Sequence, residues 1–155
     1  MMLIYCDSMV LIYLLDAVGP WNARAAARIA ALRAAGDTAA FSDLTRLECR
    51  VQPLKLGAKK TLADMDAFFG RPDVRFVPIT TAVFDRATAV RAAFNFKLGD
   101  SLHLAAAVEG GCDRFLTADS RLARFTDIAV EVLPRRRKTF HKLVRSPLSA
   151  ASPLR

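Results

Sequence analysis

Cysteine is scarce in this 155-residue chain and badly placed for chemistry: Cys6, Cys49 and Cys112 are odd in number and form no CxxC pair. That argues against a disulfide framework or a thiolate zinc site and leaves buried structural thiols as the reading. Long hydrophobic runs are missing too. Although 53% of the residues are hydrophobic, no stretch approaches the ~20 apolar residues a bilayer crossing needs. The apolar opening MMLIYCDSMVLIYLLD has no basic leading segment and is interrupted by Asp7, so no export signal is expected and the expected location is the cytoplasm. A G-x-x-x-x-G-K-[ST] loop for nucleotide phosphates is absent. So is the D-x-D spacing of phosphoryl-accepting aspartates, because Met9 stands where the second acid would be. No internal repeat and no linker interrupt the chain before residue 134, and its length suits one core.

Acidic residues are absent from residue 134 onward. The formal charge of +8 is concentrated there: Arg135, Arg136, Arg137, Lys138, Lys142, Arg145 and Arg155 supply seven of the eight charges, while the first 133 residues hold 16 basic and 15 acidic side chains. The division is therefore a nearly neutral domain over 1–133 and a basic tail over 134–155.

What is present is an alternation of short apolar runs with helical patterns. Leu3 to Cys6, Thr38 to Phe41, Val74 to Val77, Arg114 to Thr117 and Ile128 to Leu133 read as strands. Between them, helices are expected from Ser8, over Trp21–Ala35 behind Pro20, through SDLTRLECRVQ until Pro53 kinks or ends it, and over Lys60–Phe69, Thr81–Phe94 and Gly99–Val108, with one more short helix begun by Asp119. Strands joined by helices imply a parallel central sheet in a three-layer α/β/α sandwich, whose ligands bind beyond the carboxyl ends of the strands.

Four carboxylates stand at such ends or just inside helix starts: Asp7, Glu48, Asp100 and Asp119. They are 41, 52 and 19 positions apart (48−7, 100−48, 119−100), so only folding can unite them. A carboxylate set without Cys or His suits a hard cation such as Mg²⁺ better than zinc, and phosphodiester hydrolysis is the chemistry it serves most often. Each acid also fits a local role. Asp7, Asp100 and Asp119 can be N-caps, and Thr45 with Glu48 fits the T-x-x-E capping box. Ser8 and Thr117 carry hydroxyls near Asp7 and Asp119 that can hold an Asp oxygen or a water, local turn bonding being the alternative. His103, one turn after Asp100 amid LHLAAA, is read as a hydrogen-bonded core histidine rather than a base or ligand.

YCDSMVLIYLL resembles the first motif of PIN-domain ribonucleases, SDLTRLECR the second, GDSLHLAAA the third and FLTADSRL the fourth, in order over about residues 2–133. The single-domain size and the DSLHLAAA wording are most similar to the VapC toxins of toxin–antitoxin pairs. The resemblance implies a PIN fold and a metal-dependent endoribonuclease whose catalytic, metal-binding acids are Asp7, Glu48, Asp100 and Asp119. One or two Mg²⁺ or Mn²⁺ ions would acidify water and neutralise charge on the phosphate, leaving 5′-phosphate and 3′-hydroxyl ends. It also implies an RNA substrate, a cognate antitoxin covering the acidic cleft, and a homodimer. Leu11, Leu14 and Leu15, or Phe68 and Phe69, are candidate contact residues unless buried in the monomer. Arg46, Arg50, Lys97 and the RRRK run at 135–138 are candidates for RNA phosphates, whereas His141 is read as solvated. A PIN-fold module that binds RNA or protein without turnover is the alternative.

Overall fold

The computed structural model describes residues 1–15 and 19–134; the expected contributions of Arg135–Lys138 and His141 lie outside them. The described elements run β1 (Leu3–Cys6), α1 (Ser8–Leu15), α2 (Pro20–Ala34), β2 (Thr38–Phe41), α3 (Asp43–Lys55), α4 (Lys59–Phe69), β3 (Val74–Phe76), α5 (Thr81–Phe94), α6 (Leu98–Glu109), β4 (Arg114–Thr117), a 3-10 turn (Ser120–Arg124) and β5 (Ala129–Val132). All five strands pair in parallel, in the order β3-β2-β1-β4-β5. The sandwich expected from the alternation is thus the architecture found.

Strand periodicity sorts the core into two layers. Ile4 and Cys6 of β1 point to one face, with Ala39, Phe41 and Leu116, and bury residues of α1 to α4 such as Val10, Ile29, Cys49 and Met65. Tyr5, Ala40 and Phe115 point to the other and meet α5 and α6 through Val83, Val90, Leu104 and Ala106. The close approach of the second layer shows at Gly110, where a Cβ would lie 2.6 Å from Val77 Cγ1 and 2.9 Å from the Ala106 carbonyl oxygen. The thiols are inert parts of this packing: burial pushes Cys6 and Cys49 up to about 12 and half-buried Cys112 to about 11.

Element boundaries differ from the sequence reading by one or two residues, with one informative exception. Pro53 does not end α3, which runs on to Lys55. A proline this near a C-terminus removes one amide donor from the last turn only, and the residue is buried.

The order of the strands positions the site. After β1 the chain steps outward to β2 and β3, then crosses on α5 and α6 and resumes at β4, on the opposite side of β1. Connections therefore diverge between β1 and β4, leaving a crevice beyond their carboxyl ends. Asp7 follows β1 there, and Asp119 follows β4.

Candidate active site

The ladder between β1 and β4 continues one residue past the strand, since the Asp7 amide donates to the Leu116 carbonyl at 2.8 Å. This places Asp7 beside Thr117. The Thr117 hydroxyl donates to Asp7 Oδ2 at 2.8 Å, and the Ser8 amide donates to Oδ1 at 2.8 Å. The same Thr117 oxygen accepts the Asp119 amide at 3.0 Å, so one buried hydroxyl joins the first and fourth acids. Asp7 is only 6% exposed. Burial raises its carboxyl above the usual range, and the negative charge of Glu48 adds to that; His103, Thr117 and Ser8 offset part of it.

Glu48 is in the second turn of α3. The helix begins at Asp43, with Ser42 before it and Thr45 already inside, and the Ser42 amide donates to the Thr45 hydroxyl at 3.2 Å. The alternative of a Thr45–Glu48 capping box therefore fails, and the Glu48 side chain is available elsewhere. Its Oε1 accepts from His103 Nε2 at 2.9 Å and lies against the first turn of α6, 3.6 Å from where a Cβ on Gly99 would stand. Burial alone would push Glu48 up; the hydrogen bond and charge of His103 hold it below its usual value.

His103 is a core histidine, 1% exposed, but its contacts are with the site. Tyr5 Oη meets Nδ1 at 2.7 Å and Ser42 Oγ at 2.8 Å, while Ser8 Oγ is 3.1 Å from Nε2. An ionised Glu48 only accepts, so Nε2 carries a proton toward it, while Tyr5 Oη is hydrogen-bonded between Nδ1 and Ser42 Oγ. A buried relay from Ser42 to Glu48 fixes the second acid. The hydroxyl of Tyr5 in an otherwise apolar strand was the signal available in sequence, but its partner is 98 residues away.

Asp100 is at the third position of α6, whose N-cap is Lys97; it is not itself the cap. Burial, then the charges of Asp7 and Asp119, raise its carboxyl. Asp119 does cap the 3-10 turn, accepting the Arg121 amide on Oδ1 at 2.9 Å. The Arg121 guanidinium also grips both its oxygens, Nε at 3.0 and 3.1 Å and Nη2 at 2.6 Å, which lowers Asp119 below the usual carboxylate range.

Of the four expected acids, Asp7 is influenced by the charge of Glu48, and Asp100 by those of Asp7 and Asp119. They do not form a closed cage. Among the described residues no three His, Cys, Asp or Glu side chains stand close enough together to hold a metal ion, and Asp119 is engaged by Arg121.

The PIN domain family model matches residues 4–128. The chain belongs to the PIN domain family. A comparison with curated proteins gives no match. Among solved structures, the PIN domain here is similar to VapBC2 from Rickettsia felis bound to a DNA fragment from its promoter (TM-score 0.72, 13% identity, covering 86% of this chain and 100% of that one). It is also similar to DNA-bound VapBC from Salmonella typhimurium (0.67, 15%, 86% and 100%). A third likeness is to VapC20 of Mycobacterium tuberculosis, a toxin cleaving the sarcin–ricin loop (0.62, 15%, 81% and 98%). At these identities the likeness is one of fold.

The acids of this PIN domain fit a hard divalent cation in kind, being oxygen donors, and in charge, since Asp7 and Asp100 are both raised partly by neighbouring carboxylates that a cation would neutralise. Each of three acids already has protein partners: Asp119 is gripped by Arg121, Glu48 by His103, and Asp7 by Thr117 and Ser8. Arg121 was missed in the sequence, although its spacing of two from Asp119 in FLTADSRL is what lets a guanidinium fold back on the acid.

Other expected residues fall elsewhere. Arg46 pairs with Asp43 at 3.4 Å and Arg50 with Asp66 at 3.3 Å, lining a cleft of about 400 Å³ with Phe69 and Phe76 that includes none of the four acids. Lys97 alone of the three expected cations lines a cleft with Asp100. Leu11, Phe68 and Phe69 are buried in the monomer; the exposed apolar stripe is Leu47, Val51 and Leu54 on α3. No helix among the described residues is long and apolar enough to cross a membrane.

Proposed function

We propose that this protein is a VapC-type endoribonuclease, the toxin of a toxin–antitoxin pair, which hydrolyses RNA phosphodiester bonds with Mg²⁺ or Mn²⁺ held by Asp7, Glu48, Asp100 and Asp119. The observation that carries the reading is Asp7, a buried carboxylate at the strand-order switch point, fixed by two donors, with Glu48 adding like charge to it and Asp100 feeling its charge in turn. Stability gives no reason to keep mutually repelling acids half-buried together, whereas a cation site does. When bound, the ion would acidify water and screen charge on the scissile phosphate.

The chain's own residues supply orientation. Thr117 and Ser8 aim Asp7, and the Ser42–Tyr5–His103 relay aims Glu48. Arg121 holds Asp119 until that carboxylate is needed, and its released guanidinium suits a phosphate oxygen. The fold likeness to VapBC complexes and to a toxin cleaving the sarcin–ricin loop supports RNA as substrate and an antitoxin as partner. The α3 stripe supports burial against an antitoxin or a second copy in a homodimer.

The test is to incubate purified protein with RNA and Mn²⁺ and sequence the ends. Defined cuts leaving 5′-phosphates, lost with chelator and in Asp7→Asn, are expected; cuts that survive both remove the proposal. The Arg121–Asp119 grip favours one second reading, a PIN module that binds RNA or protein without turnover. Tight RNA binding with no product would select it.

A further inference from the structure

Next to the acids is a second cleft, of about 170 Å³, lined by Asn95, Phe96, Lys97, Asp100, Arg121 and Arg124. It is too small for a drug-sized ligand, whose pockets run ~300–1,000 Å³, and its chemistry is unlike that of the acid rim. Arg124 is seated 4.3 Å over the Phe96 ring and 5.9 Å from that of Phe94. Those two rings are parallel to within 1° and 5.3 Å apart, and the Arg124 guanidinium also donates to the Phe94 carbonyl. The side chain is thereby held as a plate on the protein's aromatic surface, although the residue is exposed. Asn95 turns the chain here with φ 55°, the one non-glycine left-handed residue among those described, and the turn carries exposed Lys97 to the same mouth. Arg124 closes the C-terminal end of α5 and Arg121 pairs with Asp119, yet three cations share one opening with Asp100 as the acid lining it.

We propose that this cleft is a nucleotide subsite for single-stranded RNA flanking the scissile phosphate: a base stacks on the outer face of Arg124, and Lys97 takes the adjoining phosphate. The inference rests on the ribonuclease reading above and names the part of the substrate that reading leaves open. Asp100 is shared by the cleft and the acid rim, so a nucleotide seated here delivers its neighbouring phosphate toward the carboxylates. Unpaired bases stack on guanidinium planes without regard to sequence, which fits a positioning role. Arg121 faces both the cleft and Asp119 and would move between carboxylate and phosphate.

The test measures binding of a fluorescent single-stranded RNA of about 12 nucleotides, in EDTA so that no cleavage intervenes, across a salt series. Arg124→Lys keeps the charge and loses the plane: the expected result is affinity weakened roughly 5- to 100-fold with an unchanged salt slope. Lys97→Ala is expected to reduce the log–log salt slope by ~0.7, one phosphate contact on a single strand. If Arg124→Lys does not fold, the Lys97→Ala slope decides alone. Wild-type affinity and slope in both variants overturn the subsite, and a parallel cleavage assay with Mn²⁺ then shows whether the ribonuclease reading stands without it. Conversely, variant-sensitive binding with no cleavage by the wild type retains the subsite and overturns the catalytic reading.

Discussion

Thr117→Val removes one hydroxyl and changes almost nothing else in size, at a position with no exposure to solvent. The hydroxyl makes two bonds, donating to Asp7 Oδ2 at 2.8 Å and accepting from the Asp119 amide at 3.0 Å. A hydrogen bond to a charged group contributes ~1.5–3 kcal/mol and a neutral one ~0.5–1.5. Valine's better fit to a strand end returns a few tenths of a kcal/mol. The expected net loss is therefore ~2–4 kcal/mol, or roughly 5–15 °C in Tm for a chain of this size. Thr117→Ser, which keeps the hydroxyl, should lose much less. The pH dependence identifies the partner. Thr117 holds the Asp7 carboxyl down against burial, so removing it lets that carboxyl rise further. The loss is then largest where Asp7 is ionised and shrinks as pH falls through its raised pKa, because a protonated Asp7 needs its donor less. Urea unfolding of wild type and both variants in EDTA, at several pH values from 4 to 8, measures this. A Thr117→Val protein as stable as wild type, or one whose deficit grows toward acid pH, would refute the idea that this hydroxyl carries a buried charge.

Other consequences follow from the same contacts. Asp100→Asn relieves repulsion from Asp7 and Asp119 and should raise metal-free stability by on the order of 0.5 kcal/mol near neutral pH. The gain should fade as pH drops and wild-type Asp100 protonates, since a raised carboxyl destabilises only while ionised; thermal melts across pH would show it. Arg121→Ala releases Asp119 and should lower the Mn²⁺ concentration giving half-maximal RNA cleavage several-fold, whereas an unchanged or higher requirement would mean that the grip does not compete with metal. Gly110→Ala forces a methyl within 2.6 Å of Val77 and should cost about 1–3 kcal/mol in urea unfolding, with a neutral result showing that α6 and the end of β3 can part freely.

The layers of the fold were legible because short apolar runs alternate with longer helical patterns, so the alternation itself implied the parallel sheet. The acids were legible by position, since Asp7 and Asp119 follow strands and Asp100 opens a helix. What the chain did not disclose is how those side chains are held. Thr117 reaching Asp7, and Tyr5 reaching across to His103, are contacts between distant segments, and one-dimensional patterns carry no register. His103 shows the limit well: an apolar neighbourhood correctly implied a buried, hydrogen-bonded ring, yet burial here is next to the site, with Glu48 as its partner. Arg46 and Arg50, near Glu48 in sequence, are two residues from it on the helix and so lie on the opposite face, paired with Asp43 and Asp66.

Mn²⁺ titration of the metal-free protein, followed by calorimetry and by the rise in Tm, tests the central claim most directly. The account predicts saturable binding that stabilises the wild type, by ~2.7 kcal/mol at a hundredfold excess over Kd, and that is lost or weakened at least tenfold in both Asp7→Asn and Asp100→Asn. Binding that is absent in the wild type, or untouched by either substitution, would contradict it.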